Sequence, residues 1–167
     1  SNSVRLVVFD GAARSPAYFF NEKVLAGLGA GLGQSGHLHP EGRRRAMAAL
    51  RRFAALLERL RPARVMTIAT AAVRDAADGP EFCAQVLAET GLELTVASGH
   101  EEGRLSAQGV LLGWPEAEGM VCDIGGASLE LAQISGGQVL AAETAPLGPL
   151  PLMEFEGAPR ALRQRIK

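Results

Sequence analysis

Apolar residues in this chain follow two periods, alternation and helical spacing, and the two follow one another in order. Val4-Arg5-Leu6-Val7-Val8-Phe9 is rich in β-branched residues and meets the turn signal Asp10-Gly11, which predicts a strand entering a hairpin. Tyr18-Phe19-Phe20 reads as a second strand, and residues 22–25 begin a third. The glycine-dense stretch around Gly27, Gly29, Gly31, Gly33 and Gly36 reads as a loop, without the Lys-Ser/Thr ending of a Walker A sequence. Met47, Leu50, Phe53, Ala54, Leu57 and Leu60 then fall on one helical stripe. Pro40 suits the first position of that helix, Glu41 the positive end of its dipole, and Pro62 the stop. Residues 64–69 predict a buried strand. Asp78 with Glu81 predicts a capped helix ending at Gly91, and residues 92–97 alternate as a strand. Ser98 and Glu101 form a capping box for a further helix, packed by Leu105, Val110 and Leu112 and ended by Gly113-Trp114-Pro115.

The last third changes character. Met120-Val121-Cys122 leads into Asp123-Ile124-Gly125-Gly126-Ala127-Ser128; residues 129–134 alternate, and Ser135-Gly136-Gly137 turns the chain into a third run. Three antiparallel strands are expected here, in the manner of residues 4–25, followed by a Pro-rich loop over 146–152 and a terminal helix. Strand–helix–strand units followed by hairpins argue for an α/β fold with a mixed sheet and helices packed on it.

Composition narrows the class. The chain has 167 residues, 47% hydrophobic and 21% charged, which suits one domain or one domain plus part of another. A net charge of −1 gives no global pull towards nucleic acid or membrane. The arginines concentrated between Arg43 and Arg64 read as a solvated helix face. Cys83 and Cys122 sit in apolar contexts without metal spacing and are expected to be reduced core residues of a cytoplasmic protein. The start at Ser1-Asn2-Ser3 without Met, and an end inside a helical pattern, predict part of something longer.

Three places carry candidate chemistry. Arg74 lies among small residues just past the end of an expected strand, where α/β sheets bind ligands, and its planar fork suits a phosphate; an ion pair with Asp75 or Asp78 would equally account for it. Glu101 is used by the capping box, which leaves Glu102 free in the first helical turn. A carboxylate there can orient or deprotonate a water, or simply complement the helix dipole. Gly125-Gly126, with Asp123 before it and Ser128 and Glu130 after it, can form an anion-binding nest whose acids accept a divalent cation, or can merely shape a hairpin. Gly103, inside the same helix as Glu102, costs about 1 kcal/mol against Ala.

Taken together, Ser1-Asn2-Ser3-Val4-Arg5-Leu6, Thr70-x-Ala72-x-Arg74-x-Ala76, Ser98-Gly99-x-Glu101-Glu102-x-Arg104-Leu105 and Asp123-Ile124-Gly125-Gly126-x-Ser128-x-Glu130 resemble the exopolyphosphatase / guanosine pentaphosphate phosphohydrolase family. The resemblance implies an actin-like ATPase, ribonuclease-H-like fold: lobe one over residues 1–117 with its start truncated, and the opening hairpins of lobe two over 118–167. It implies a phosphohydrolase that releases terminal phosphate from polyphosphate or guanosine pentaphosphate with Mg²⁺. Glu102 would be the catalytic glutamate, Ser1, Asn2, Ser3, Arg74, Gly125, Gly126 and Ser128 would bind phosphate, and Asp123 and Glu130 would lie at the metal. The chain departs from the family at Ala127, usually Gly, and at Gly103, usually Ala; a left-handed backbone at Ala127 would strain the loop by about 1–2 kcal/mol. A nucleotide-binding actin-like module without hydrolysis is the second reading, and a sugar or acetate kinase the third. Oligomeric state stays open, a homodimer included.

Overall fold

The computed structural model describes residues 2–11, 13, 16–153 and 163. Strands β1 (Ser3–Phe9) and β2 (Tyr18–Leu25) form an antiparallel pair, followed by a short helix α1 (Leu32–Ser35) and the long helix α2 (Pro40–Leu60). Next come β3 (Ile68–Ala69), α3 (Ala71–Asp75), α4 (Gly79–Thr90) and β4 (Thr95–Val96), with β3 and β4 parallel. Helix α5 (Gly99–Gly113) leads into β5 (Gly119–Ile124), β6 (Leu129–Ser135) and β7 (Gln138–Ala145), a three-stranded antiparallel sheet in the order β5-β6-β7, and then α6 (Pro149–Met153). Among the described residues no helix is long and apolar enough to cross a membrane.

β2 is one strand where the sequence suggested two. Asn21 stays in the ladder opposite Val7, and its side-chain oxygen accepts from Arg5 Nε at 2.8 Å on the neighbouring strand. A polar residue breaks a strand only when it withdraws its backbone from the ladder, and Asn21 does not.

α2 has the expected bounds. Met47 and Leu50 are buried in a core that also takes Val73 and the α4 residues Phe82 and Val86, and Phe53 is buried beside them on the same helix. Its start is capped by His39, whose Nδ1 accepts from the Gly42 N–H at 3.2 Å. Gly42 lies against the 27–28 backbone, where a Cβ would come 2.6 Å from the Gly27 carbonyl oxygen. The arginine face of α2 is tied down rather than simply solvated. Arg43 reaches Asp78 and Glu81 of the α4 start, Arg51 pairs with Glu89, and Arg52 pairs with Glu22 of β2. That use of Asp78 corrects the expected capping box: its Oδ1 accepts from the Leu38 N–H at 2.9 Å and its Oδ2 faces Arg43, so its side chain does not cap α4.

The expected strands over 64–69 and 92–97 shrink to two residues each. The first is also not buried, since Val65, Met66 and Ile68 are exposed. A strand needs a hydrogen-bonding neighbour along its length. On the side facing β1, residues 65–70 border a cavity of about 220 Å³ rather than a strand, with Leu50 and Phe53 of α2 also lining it.

Helix α5 also packs on a face other than the one expected. Leu105, Val110 and Leu112 are exposed, while Gly99, Gly103 and Ala107 are buried. Ala107 and Leu111 join Val121, Ala132, Ile134, Val139 and Ala142 in a second, smaller core under the β5-β6-β7 sheet. Cys122 is exposed, against expectation, because its position alternates away from that core. Cys83 is half-buried, and burial pushes its thiol pKa up.

Candidate functional site

The register of the β5-β6-β7 sheet sets a polar row across its three strands. Asp123 of β5 stands opposite Glu130 of β6, and Glu130 stands opposite Thr144 of β7. Directly paired residues of an antiparallel sheet point to the same face. Glu130 is only 2% exposed, and its Oε1 accepts from Thr144 Oγ1 at 2.9 Å. The start of α5 lies on this row. A Cβ on Gly99 would come 2.1 Å from Thr144 Cγ2, and one on Gly103 would come 3.3 Å from Ala142 Cβ and 3.5 Å from Glu130 Cβ. Three residues on, Ser106 Oγ donates to Asp123 Oδ2.

The capping box at the start of α5 forms as read. Ser98 Oγ accepts from the Glu101 N–H at 3.2 Å, and Glu101 Oε2 accepts from the Ser98 N–H at 2.9 Å. The Ser98 hydrogen bonds, backbone first, hold the Glu101 carboxyl below the usual range. Glu102 is therefore free of the cap and turns inward, with 19% of its side chain exposed. Arg74 Nη1 donates to Glu102 Oε2 and to the Ala97 carbonyl, both at 3.2 Å, while Arg74 Nε donates to Asp75 Oδ1 at 3.0 Å. Of the two explanations open for Arg74, the ion pair is present, with Asp75, and its Nη2 has no acceptor among the described residues. Burial raises the Glu102 pKa above the ordinary glutamate value. The nearby Glu130 charge adds to the rise, and Arg74 and Thr70 oppose it.

The Gly125–Ser128 turn is built differently from a left-handed nest. Gly125, Gly126 and Ala127 all avoid positive φ, so Ala127 carries no left-handed strain. The Gly125 N–H is spent on the Ser128 carbonyl at 2.9 Å. Gly126 is needed for room: a Cβ there would lie 3.0 Å from Asn2 Cβ. Behind the turn, the carbonyls of Gly126 and Ala127 accept from the N–H groups of Leu150 and Gly148 at 2.9 and 3.3 Å. The expected Pro-rich loop over 146–152 thus braces the turn and passes into α6. The N–H groups of Gly126, Ala127 and Ser128 have no acceptor among the described residues. Asn2 is itself anchored, its carbonyl accepting from Ala26 and Gly27 at 3.0 and 2.8 Å.

The structure therefore brings the candidate residues into two groups. Arg74, Glu102 and Glu130 form one, continued by Asp123 along the sheet row; Asn2, Gly126 and Ser128 form the other. Ser3 sits in β1 and borders the cavity, and Ser1 lies outside the described residues. Sequence reasoning missed Ser106 and Thr144. Their signals were the spacing of Ser106 from Gly99 and Gly103 along α5, and the pairing of Thr144 with Glu130 across strands.

Among the described residues no group of three or more His, Cys, Asp or Glu could hold a metal unaided. Asp123 and Glu130 nevertheless suit a hard cation. Both are oxygen donors on one face of adjacent strands, and Mg²⁺ commonly takes one or two carboxylates and completes its shell with substrate phosphates and water.

Residues 7–155 match the Ppx/GppA phosphatase family. An exopolyphosphatase from Cytophaga hutchinsonii superposes with a TM-score of 0.84 at 26% identity, over 92% of this chain and 50% of that one. The Ppx/GppA family member of Aquifex aeolicus gives 0.76 at 28% identity, over 92% of this chain and 51% of that one. The chain thus spans about half the length of these structures. The ethanolamine utilization protein EutJ from Carboxydothermus hydrogenoformans, at 22% identity and a TM-score of 0.51, shares the fold alone, which is that of the actin-like ATPases.

Proposed function

The chain belongs to the Ppx/GppA phosphatase family, and from that premise we propose that the full-length protein hydrolyses the terminal phosphoryl group of inorganic polyphosphate or guanosine pentaphosphate. The observation that carries the reading is Glu102, released from capping by Glu101 and held inward between the Arg74 guanidinium and the buried Glu130. In this reading residues 1–117 belong to one lobe and 118–167 open a second, with the substrate between them.

Arg74 Nη2 and the N–H groups of Gly126, Ala127 and Ser128 are the donors available to phosphate oxygens, with Asn2 beside Gly126. Ser3, next to Asn2 at the start of β1, would be a further phosphate contact in this reading. Asp123 and Glu130 would hold Mg²⁺, which when bound offsets charge on the phosphate oxygens. Glu102 takes a proton from the attacking water as the water oxygen bonds to phosphorus and the bridging P–O bond breaks. A phosphate drawing Arg74 away from Glu102 leaves that carboxylate more basic, which suits a proton acceptor. Ala127 gives no support to a degenerate loop, because its backbone is unstrained.

Phosphate release from both substrates, with Mg²⁺, tests the reading in the intact gene product. Glu102→Gln is expected to lower turnover by about 10²–10⁴-fold. Glu102 accepts a proton only when ionised, and its pKa is raised. Activity of the wild type should therefore fall on the acid side at a pH above the ordinary glutamate value, and that limb should vanish in Glu102→Gln. An unchanged rate in the variant removes Glu102 as the base. ATP binding without turnover of either substrate favours the nucleotide-binding module.

A further inference from the structure

Asp123 and Glu130, paired across β5 and β6, are held in unlike ways. Glu130 is enclosed by the sheet and α5 and bonded by Thr144. Asp123 lies on β5, at the edge of the sheet, and is exposed. An exposed aspartate on an edge strand would turn freely about its side-chain bonds, and binding would have to freeze that freedom. One contact opposes it. Ser106 Oγ, from the sheet-facing side of α5, donates to Asp123 Oδ2, and Oδ1 accepts no hydrogen bond among the described residues.

We propose that Ser106 is a positioning residue for Asp123: its hydroxyl presets the carboxylate so that a divalent cation meets an already oriented oxygen ligand. The proposal rests on the reading that Asp123 faces the cation. Ser106 is placed for this task by its neighbours on the helix. Gly99 and Gly103 let α5 lie close to the Thr144–Glu130–Asp123 row, and without that approach a side chain as short as serine would not reach β5. Serine is also a mediocre choice within a 15-residue helix, since its hydroxyl competes for backbone groups; here the hydroxyl is engaged by the carboxylate instead. Partners of this kind, bonded to a metal ligand rather than to the metal, typically change metal affinity by about 10–100-fold when removed.

The test uses the full-length protein and Mn²⁺, whose free ion is counted by its electron paramagnetic resonance signal, without substrate. Ser106→Ala should weaken Mn²⁺ binding by about tenfold. Phosphate release at saturating Mg²⁺ should stay within about threefold of wild type while the half-saturating Mg²⁺ concentration rises by the same factor as the Mn²⁺ dissociation constant. Ser106→Thr, which keeps a hydroxyl, should restore both. Asp123→Ala is the control. If it loses Mn²⁺ while Ser106→Ala, folded by circular dichroism, binds as wild type, the positioning role is overturned and the site reading stands. If Asp123→Ala binds Mn²⁺ as wild type, the site reading fails and the proposal fails with it. Loss of affinity in Ser106→Ala that Ser106→Thr does not recover also overturns it, since the hydroxyl would not be the cause.

Discussion

Helices α2 and α5 each cover a sheet, and they do so with opposite materials. α2 buries Met47, Leu50 and Phe53 along its length, and its backbone closes on a neighbour at Gly42, near its start. α5 buries Gly99, Gly103 and Ala107, so its backbone comes almost to the sheet and encloses Glu130. The first arrangement removes apolar surface from water and little else. The second builds a low-dielectric place in which carboxylates feel one another, which is why Glu102 is pushed towards its protonated form by burial and by Glu130. A helix that packs with large residues makes a core, and one that packs with small residues can make a site.

The comparison breaks first at Phe53. Phe53→Ala should cost about 3–5 kcal/mol by denaturant unfolding, the usual cost of emptying an aromatic site in a core. A loss under about 1 kcal/mol would mean that the neighbouring cavity already leaves α2 loosely seated, and that the contrast with α5 is weaker than the buried residues imply.

Gly99→Ala is the matching change on α5, with a smaller expected effect of about 1–3 kcal/mol from overpacking. Its Cβ would fall 2.1 Å from Thr144 Cγ2 and 2.7 Å from Thr144 Cβ, so the threonine must move and loosen its bond to Glu130. Adding Thr144→Ala should recover only part of the folding stability, because it removes the Cγ2 clash but keeps the Cβ one and takes the donor from Glu130, and it should not recover the phosphate release. If the double variant is no more stable than Gly99→Ala, the crowding lies elsewhere.

These two helices also separate what the sequence makes legible from what it hides. The stripe on α2 is written in residue size and spacing, and its bounds read directly. The division of labour between Glu101 and Glu102 was legible as well, because a capping box is settled within one turn. The packing face of α5 was not. Leu105 and Leu112 point outward, and the inward face is marked by small residues over most of its length, with Leu111 near its end, and small residues look the same as indifference. Asp78 misled for a related reason: its partners Leu38 and Arg43 lie far away along the chain, so a local capping pattern lost to a tertiary one. The Gly125-Gly126 pair suggested left-handed backbone, but Gly126 serves the close passage of Asn2, which no local rule encodes.

The subtlest test of the contrast is Gly103→Ala. Inside a helix the change alone stabilises by about 1 kcal/mol, since alanine restricts the unfolded chain and suits the helix. Here the new methyl would sit 3.3 Å from Ala142 Cβ and 3.5 Å from Glu130 Cβ. Neither neighbour can yield by changing rotamer: one is a methyl fixed to β7, and the other belongs to a buried side chain bonded to Thr144. α5 must instead lift by a few tenths of an ångström, which stretches the Ser106–Asp123 contact three residues on. The gain and the crowding should nearly cancel, leaving stability within about 0.5 kcal/mol of wild type by thermal unfolding. A full gain near 1 kcal/mol would mean that α5 rides freely over the sheet and that its small face is incidental. A loss beyond about 1 kcal/mol would mean that the helix is held to the sheet as rigidly as α2 is held by Phe53, with Gly103 fixing the height at which the carboxylate row is enclosed.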